Sequence, residues 1–370
     1  MNHVEKKENK VINVMKFFGI LYVVAGHCIN QANLISKIIY LINLPLFFII
    51  SGYFFKDGEY KNPKEIFLYL GNKIGRFWKY YFIYGTLLVL FHNVFYYLGI
   101  IDVSIYKLYD IKDFIFGIFN AAQFISLEPF SSAMWFIPVL IIGLTIFYAI
   151  CYYSSKSKHS EFIKFLLVLL TFAVGYYLTY KDINIGLHYN ISFYIIPFIY
   201  IGYIMKKINI ADRIKSFNKW QLLFISLISL IILVLIIKFV PGRPDIANNI
   251  LWNPIFYYVC AILLFYLTYL LSNFIVKSSS NVVVNLFNYI GKHTISIMCL
   301  HIAFIKLVDF AFIHFMTKNY ALLPKFVFSY SKLFPVYVVI GIMGPILLEL
   351  TFLKIYNLFY KKMHNKECIS

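Results

Sequence analysis

Residues Val11–Asn30 read VINVMKFFGILYVVAGHCIN. The run is apolar and long enough to cross a hydrocarbon layer about 30 Å thick at about 1.5 Å of rise per helical residue. It nevertheless contains Lys16 and His27. Outward from it, apolar runs of similar length recur: Val11–Ile29, Ile35–Phe55, Phe77–Ile101, Ala133–Tyr153, Phe162–Tyr180, Ser192–Met205, Trp220–Val240, Leu251–Leu271, Ile290–Phe312 and Phe334–Tyr356. The sixth is short and Pro197 interrupts it. Of 370 residues, 61% are hydrophobic and 14% charged, and the mean hydropathy is +0.75. Soluble domains are about half apolar and about a quarter charged. The pattern predicts an all-α polytopic membrane protein with about ten transmembrane helices and a single membrane-embedded domain over 1–370. Weak two-residue alternation argues against a membrane β-barrel.

The net charge of +18 lies in short clusters between apolar runs, where the excess of Lys and Arg in cytoplasmic loops would put it. Lys6, Lys7 and Lys10 precede the first run, and Lys56, Lys61, Lys64, Lys73, Arg76 and Lys79 follow the second. Further clusters follow the fourth, sixth and tenth, so both termini are expected on the cytoplasmic side of the plasma membrane, with lipids as neighbours. No recognition motif accompanies the charge, and no nucleic-acid partner is expected. Cys28, Cys151, Cys260, Cys299 and Cys368 have no metal-ligand or redox spacing and read as small hydrophobes. No metal is expected, and no cleavable signal peptide is evident. The segment Asp102–Ser132 reads as an outer-side amphipathic or re-entrant piece ahead of Trp135.

Lys16 and His27 stand eleven positions apart. Eleven steps of about 100° return to nearly the same helix face, about 16 Å along the axis, and Asn13 projects about 40° from His27. All three can therefore face one protein-lined cavity. The plainer reading has Lys16 snorkelling to an interface and His27 satisfying a neighbour's hydrogen bond. Ionisable groups inside a membrane are costly, which makes each of them a candidate site residue.

The opening "NVMKFFGILYVVAGH" followed by "LPLFFIISGYFF" resembles acyltransferase family 3, the integral-membrane O-acyltransferases, and within it the fucose 4-O-acetylase-like branch. The segments "KIGRFWKYY", "AMWFIPVLI", "FIYIGYIMK" and "IGKHTISIMCLH" agree with it in the expected order. In that family a basic residue and a later histidine mark the first span; here they are Lys16 and His27. The resemblance implies a catalytic role for His27. Asn13 stands where many relatives have Asp, which removes a carboxylate orienter on the same helix. Lys79 stands where Pro is common.

The implied reaction moves an acetyl group from acetyl-CoA, a donor substrate rather than a resident cofactor, to a hydroxyl of a cell-surface polysaccharide or its lipid-linked precursor. Such a transfer needs a base for the hydroxyl proton and cations for the coenzyme phosphates. His27 is the candidate base, and Lys16, Lys73 and Arg76 are the candidate donor-binding residues. Asn13, Trp135, Ser51, His301, Glu349 and Glu128 are candidates for supporting or acceptor-binding roles. Each has a plainer reading: Trp135 as an interface anchor, Glu128 as a solvated loop acid, His301 as a structural histidine, and Glu349 as a partner of Lys306, Lys16 or a histidine. Lys306 and Asp309, one turn apart, are expected to pair. The rival function is a secondary transporter or flippase for a glycan or small metabolite, although the first and last five runs show no matching broken helices.

Overall fold

The computed structural model describes residues 9–29, 33–56, 63–183, 185–186, 188–248, 250 and 252–367. Lys6, Lys7, Lys61, Cys368 and Leu251, at the expected start of the eighth run, lie outside them. The apolar runs form helices: α1 (Lys10–His27), α2 (Leu34–Tyr53), α3 (Pro63–Tyr97), α4 (Ile111–Ala122), α5 (Phe136–Ser154), α6 (Ser160–Tyr180), α7 (Tyr189–Tyr194), α8 (Ile196–Lys207), α9 (Ile210–Ser216), α10 (Lys219–Phe239), α11 (Pro254–Ser278), α12 (Asn281–Lys292), α13 (Thr294–Phe312) and α14 (Phe334–Glu367). Among the described residues the extended pairing is an isolated bridge between Asp245 and Ile250, so the chain is an all-α polytopic membrane protein. Among the described residues, eight helices are long and apolar enough to span, or nine if the segment from Tyr189 to Ser216, bent by 56°, counts as one. The 35-residue α3 holds the third expected run up to Tyr97, and Leu98–Ile101 lie past its end.

Helices α3, α11 and α14 extend beyond the runs read from sequence, and two other boundaries differ in ways that shape the site. The sixth run breaks at Ile195, because Pro197 at the start of α8 has no N–H to give to a preceding turn. The ninth begins at Thr294 rather than Ile290, which belongs to α12. There α12 lies across α1 with Gly291 against the Asn13 carbonyl, and the chain turns at His293 before entering α13. A side chain at Gly291 would collide with that carbonyl.

Burial sorts the helices into a centre and a periphery. In the most apolar windows of α2, α5 and α13, 61% of residues are buried, against 22% in α6 and 17% in α10. The central helices therefore hold the polar groups, and α6 and α10 present apolar side chains outward. Helices α1 and α2 run antiparallel, with Gly19 near Leu46 and Phe47, and Gly26 near Ile39 and Tyr40. Helices α2 and α8 cross with backbones in contact: Gly52 lies on Ile199, and Gly202 on Ile49. Small residues at such crossings allow the close packing that joins helices in lipid.

The segment between α3 and α5 doubles back along α3. Asp110 and Asp113 form a reciprocal cap at the start of α4. From there α4 descends along α3: the Tyr109 N–H donates to Asn93 Oδ1 (2.8 Å), Gly117 packs on Val89, Ala121 packs on Gly85, and Trp78 Nε1 donates to the Ala122 carbonyl (2.8 Å). The chain then climbs back, with Tyr81 Oη donating to the Phe124 carbonyl (2.8 Å) and Glu128 meeting His92 Nδ1 (2.8 Å). This return corrects the expectation for Glu128. It is 6% exposed and paired with a buried histidine, not a solvated loop acid.

Candidate functional site

Two cavities occupy the centre of the bundle, one toward each end of α1. The first has a volume of about 270 Å³ and is lined by Lys16 of α1, Ser51 and Phe54 of α2, Lys73 and Arg76 of α3, and Thr294 of α13, with apolar residues of α5. The Lys16 Nζ lies 6.0 Å from the centre of the Phe54 ring. Three cations share this lining, and among the described residues it contains no Asp or Glu. Phosphates suit such a surface, because charge-assisted hydrogen bonds to ammonium and guanidinium groups are the stronger kind.

The second cavity, about 440 Å³, lies at the His27 end. His27 is the last helical residue of α1. Around it stand Tyr40 and Asn43 of α2, Trp135 just before α5, His188 just before α7, and Arg243, Asp245 and Asn248 from the segment between α10 and α11. The Trp135 and His188 rings lie 5.3 Å apart, and Arg243 stacks over Tyr40 at 4.0 Å. Arg243 Nη1 donates to the Ile29 carbonyl (3.4 Å), and Asn248 Nδ2 donates to Asp245 Oδ2 (2.9 Å). Burial pushes the His188 imidazole below its ordinary pKa, and Asp245 opposes that shift. His188 also sits at φ +66°, a left-handed conformation rare for a residue with a Cβ. An aromatic face beside amide, carboxylate and guanidinium groups can hold a polyhydroxylated ligand by stacking and hydrogen bonding.

Phe136 and Met298 line both cavities. They are 6% and 4% exposed, so the start of α5 and the second turn of α13 form a shared wall between the two spaces. Neither side chain offers a hydrogen bond that a passing group would have to break.

The expected residues divide as follows. Lys16, Lys73, Arg76 and Ser51 share the first cavity, and His27 and Trp135 share the second. The three residues do not face one cavity as projected: Lys16 and His27 line different ones, and Asn13 lines neither. Its Nδ2 donates to Asn288 Oδ1 (3.0 Å) on α12, because α12 crosses α1 at that level. His301 lies behind His27, with ring centres 5.1 Å apart. Glu349 lines neither cavity; it accepts from Ser296 Oγ (2.6 Å) and meets His293 Nδ1 (2.8 Å), tying α14 to the start of α13. Of its expected partners, the histidine is the one it meets. Lys306 and Asp309 pair at 3.4 Å as expected. Trp135 lines the second cavity with its ring beside that of His188.

Sequence reading missed His188, Arg243 and Asp245. For the last two a signal existed: "PGRPD", Pro241–Asp245, sets an Arg and an Asp in a turn within a loop expected to be poor in basic residues. His188 carried no comparable signal. Among the described residues, no group of three or more His, Cys, Asp or Glu is placed to hold a metal.

Comparison with known proteins gives one family: a model described as an acyltransferase domain, of the acyltransferase family 3 type, matches residues 9–352. No curated protein and no solved structure matches the chain.

Proposed function

The chain belongs to the acyltransferase domain family, matched from residue 9 to residue 352, and from that premise we propose that it carries acetyl from acetyl-CoA to a hydroxyl of a cell-surface polysaccharide or its lipid-linked precursor. Membership makes it a membrane acyltransferase. The donor, the acceptor and the role of His27 are the proposal. The supporting observation is the pair of cavities that share Phe136 and Met298 as a wall, one carrying Lys16, Lys73 and Arg76, the other carrying His27.

In this reading the coenzyme phosphates rest on the three cations. The thin pantetheine arm runs past Phe136 and Met298, so that the thioester reaches the second cavity. There the acceptor sugar stacks on Trp135, with Asp245 and Asn248 as hydrogen-bond partners. His27 takes the proton of the attacking hydroxyl, and the oxygen bonds to the thioester carbon. The carbon–sulfur bond then breaks, and the departing thiolate takes the proton back from the imidazolium, leaving the sugar ester and free coenzyme A thiol. The protein would lie in the plasma membrane with both termini cytoplasmic, so the cationic cavity opens toward the compartment that holds the coenzyme. The fucose 4-O-acetylase-like branch fits a sugar acceptor of this kind.

The test uses membranes carrying the wild type or His27→Ala at matched protein levels, with labelled acetyl-CoA and surface glycan as acceptor. Loss of a general base predicts a fall in transfer of about 10²- to 10⁴-fold, with donor binding kept. Full transfer by His27→Ala would remove the catalytic assignment. Movement of glycan without consumption of donor would instead favour a transporter.

A further inference from the structure

His301 is fully buried in α13. Its Nδ1 lies 2.8 Å from the Ile297 carbonyl and 3.1 Å from that of Met298. Carbonyl oxygens only accept, so Nδ1 carries the hydrogen, and a neutral imidazole then has a bare lone pair on Nε2. That Nε2 is buried and has no hydrogen-bond partner among the described residues. An unpaired buried acceptor costs about 1–3 kcal/mol, so its persistence calls for an explanation. The neighbouring ring is His27, with centres 5.1 Å apart and planes inclined by 45°. No hydrogen bond joins the two rings as they stand, but at that separation a rotation of either ring would bring Nε2 within reach of a His27 nitrogen.

We propose that His301 is a positioning residue that fixes the tautomer of His27: its bare Nε2 accepts the N–H of the His27 ring, which leaves the other His27 nitrogen unprotonated toward the cavity. The inference deepens the proposed reaction and rests on His27 being its base. It explains how a site can lack a carboxylate orienter. Asn13, the residue that replaces one on α1, is engaged with Asn288 instead. The helix carbonyls of α13 hold His301 in one tautomer, and His301 passes that choice on. When His27 gains the substrate proton, both its nitrogens carry hydrogen, and the one facing His301 keeps its acceptor. Neither His301 nor its proton enters the bond changes.

The experiment compares wild type, His301→Leu and His301→Gln in membranes, using kcat, KM for each substrate, thermal melting, and nitrogen NMR of protein labelled at histidine. Loss of an outer-shell orienter typically costs about 10- to 100-fold, so His301→Leu should lose that much kcat with both KM values kept. His301→Gln, whose side-chain carbonyl can accept, should recover most of it. The His27 ring should show one tautomer in wild type and in His301→Gln, and a mixture in His301→Leu. Full kcat in His301→Leu overturns the inference, as does a single unchanged His27 tautomer in that variant. If His301→Leu fails to fold, a mixed His27 tautomer in a folded His301→Gln, with no kcat recovered relative to other polar replacements, overturns it equally. An active His27→Ala would remove the reaction itself; an inactive His27→Ala beside a fully active His301→Leu would remove only the positioning role.

Discussion

Replacing Lys16 by Met tests the cationic cavity most directly, because the variant keeps the unbranched stem and removes only the charge. Lys16 projects into the 270 Å³ space with Lys73 and Arg76, its Nζ 6.0 Å from the Phe54 ring. A charge-assisted hydrogen bond to a phosphate contributes about 1.5–3 kcal/mol net. At about 1.4 kcal/mol per factor of ten, that is a rise of roughly 10- to 150-fold in the KM for acetyl-CoA, with kcat nearly unchanged. Arg76 is exposed, so its contribution is held to about 0.2–1 kcal/mol, or roughly 1.5- to 5-fold. The assay measures initial rates in membrane vesicles with two donors, acetyl-CoA and acetyl-pantetheine, which has the same thioester but no phosphate. The two donors and two proteins form a cycle whose coupling isolates the Lys16–phosphate interaction. The Lys16→Met penalty should be large with acetyl-CoA and absent with acetyl-pantetheine. An equal penalty with both donors would refute a phosphate contact, and no penalty with either would move the donor site elsewhere.

Three further outcomes follow from the same geometry. Gly202→Ala places a methyl group against the Ile49 carbonyl where α2 and α8 cross; overpacking of this kind costs about 1–3 kcal/mol and should lower the melting temperature in detergent. Glu128→Ala removes one partner of the buried pair with His92, an expected loss of about 3–5 kcal/mol; Glu128→Gln should lose less, and kinetic constants per folded molecule should hold, because neither residue lines a cavity. His188 has its pKa pushed down by burial, so in acid the unfolded chain takes up the proton first. Its contribution to stability is therefore present near neutral pH and is lost as the pH falls below the ordinary imidazole value toward the lowered one. Melting curves from about pH 7.5 to about pH 5 should fall less steeply in His188→Gln than in wild type.

What the sequence made legible was set by period and composition. The runs from Val11 to Tyr356 had to form helices, since lipid offers backbone groups no other partner, and a basic residue eleven positions before a histidine identified α1 as the polar helix. The clustering of Lys16 with Lys73 and Arg76 also followed from the family pattern. Projection on a helical wheel failed for Asn13, because it describes one helix and is blind to what crosses it. Here α12 takes the Asn13 amide. The same blindness hid Arg243, Asp245 and His188, which approach His27 from segments more than 150 positions away in the chain. No local period can encode such an approach.

The doubled-back segment between α3 and α5 connects the fold to the chemistry. Because α4 descends along α3 and the chain climbs back past Glu128, α5 does not begin at the mouth of the bundle. It begins at Phe136, between the two cavities. Trp135 and Phe136 are adjacent in the chain and both line the His27 cavity, but Phe136 also lines the cationic one, its ring held by stacking on the buried Phe48 of α2 at 5.0 Å. A thioester crossing at Phe136 would emerge beside the indole that is to hold the sugar. On the proposed reading donor phosphates and acceptor would stay apart while their reacting atoms converge, which is the condition for transfer to outrun hydrolysis. Phe136→Ala, by widening the crossing, should raise hydrolysis of acetyl-CoA relative to transfer when both products are counted from one labelled donor. An unchanged ratio in a folded variant would show that this ring does not separate the two spaces.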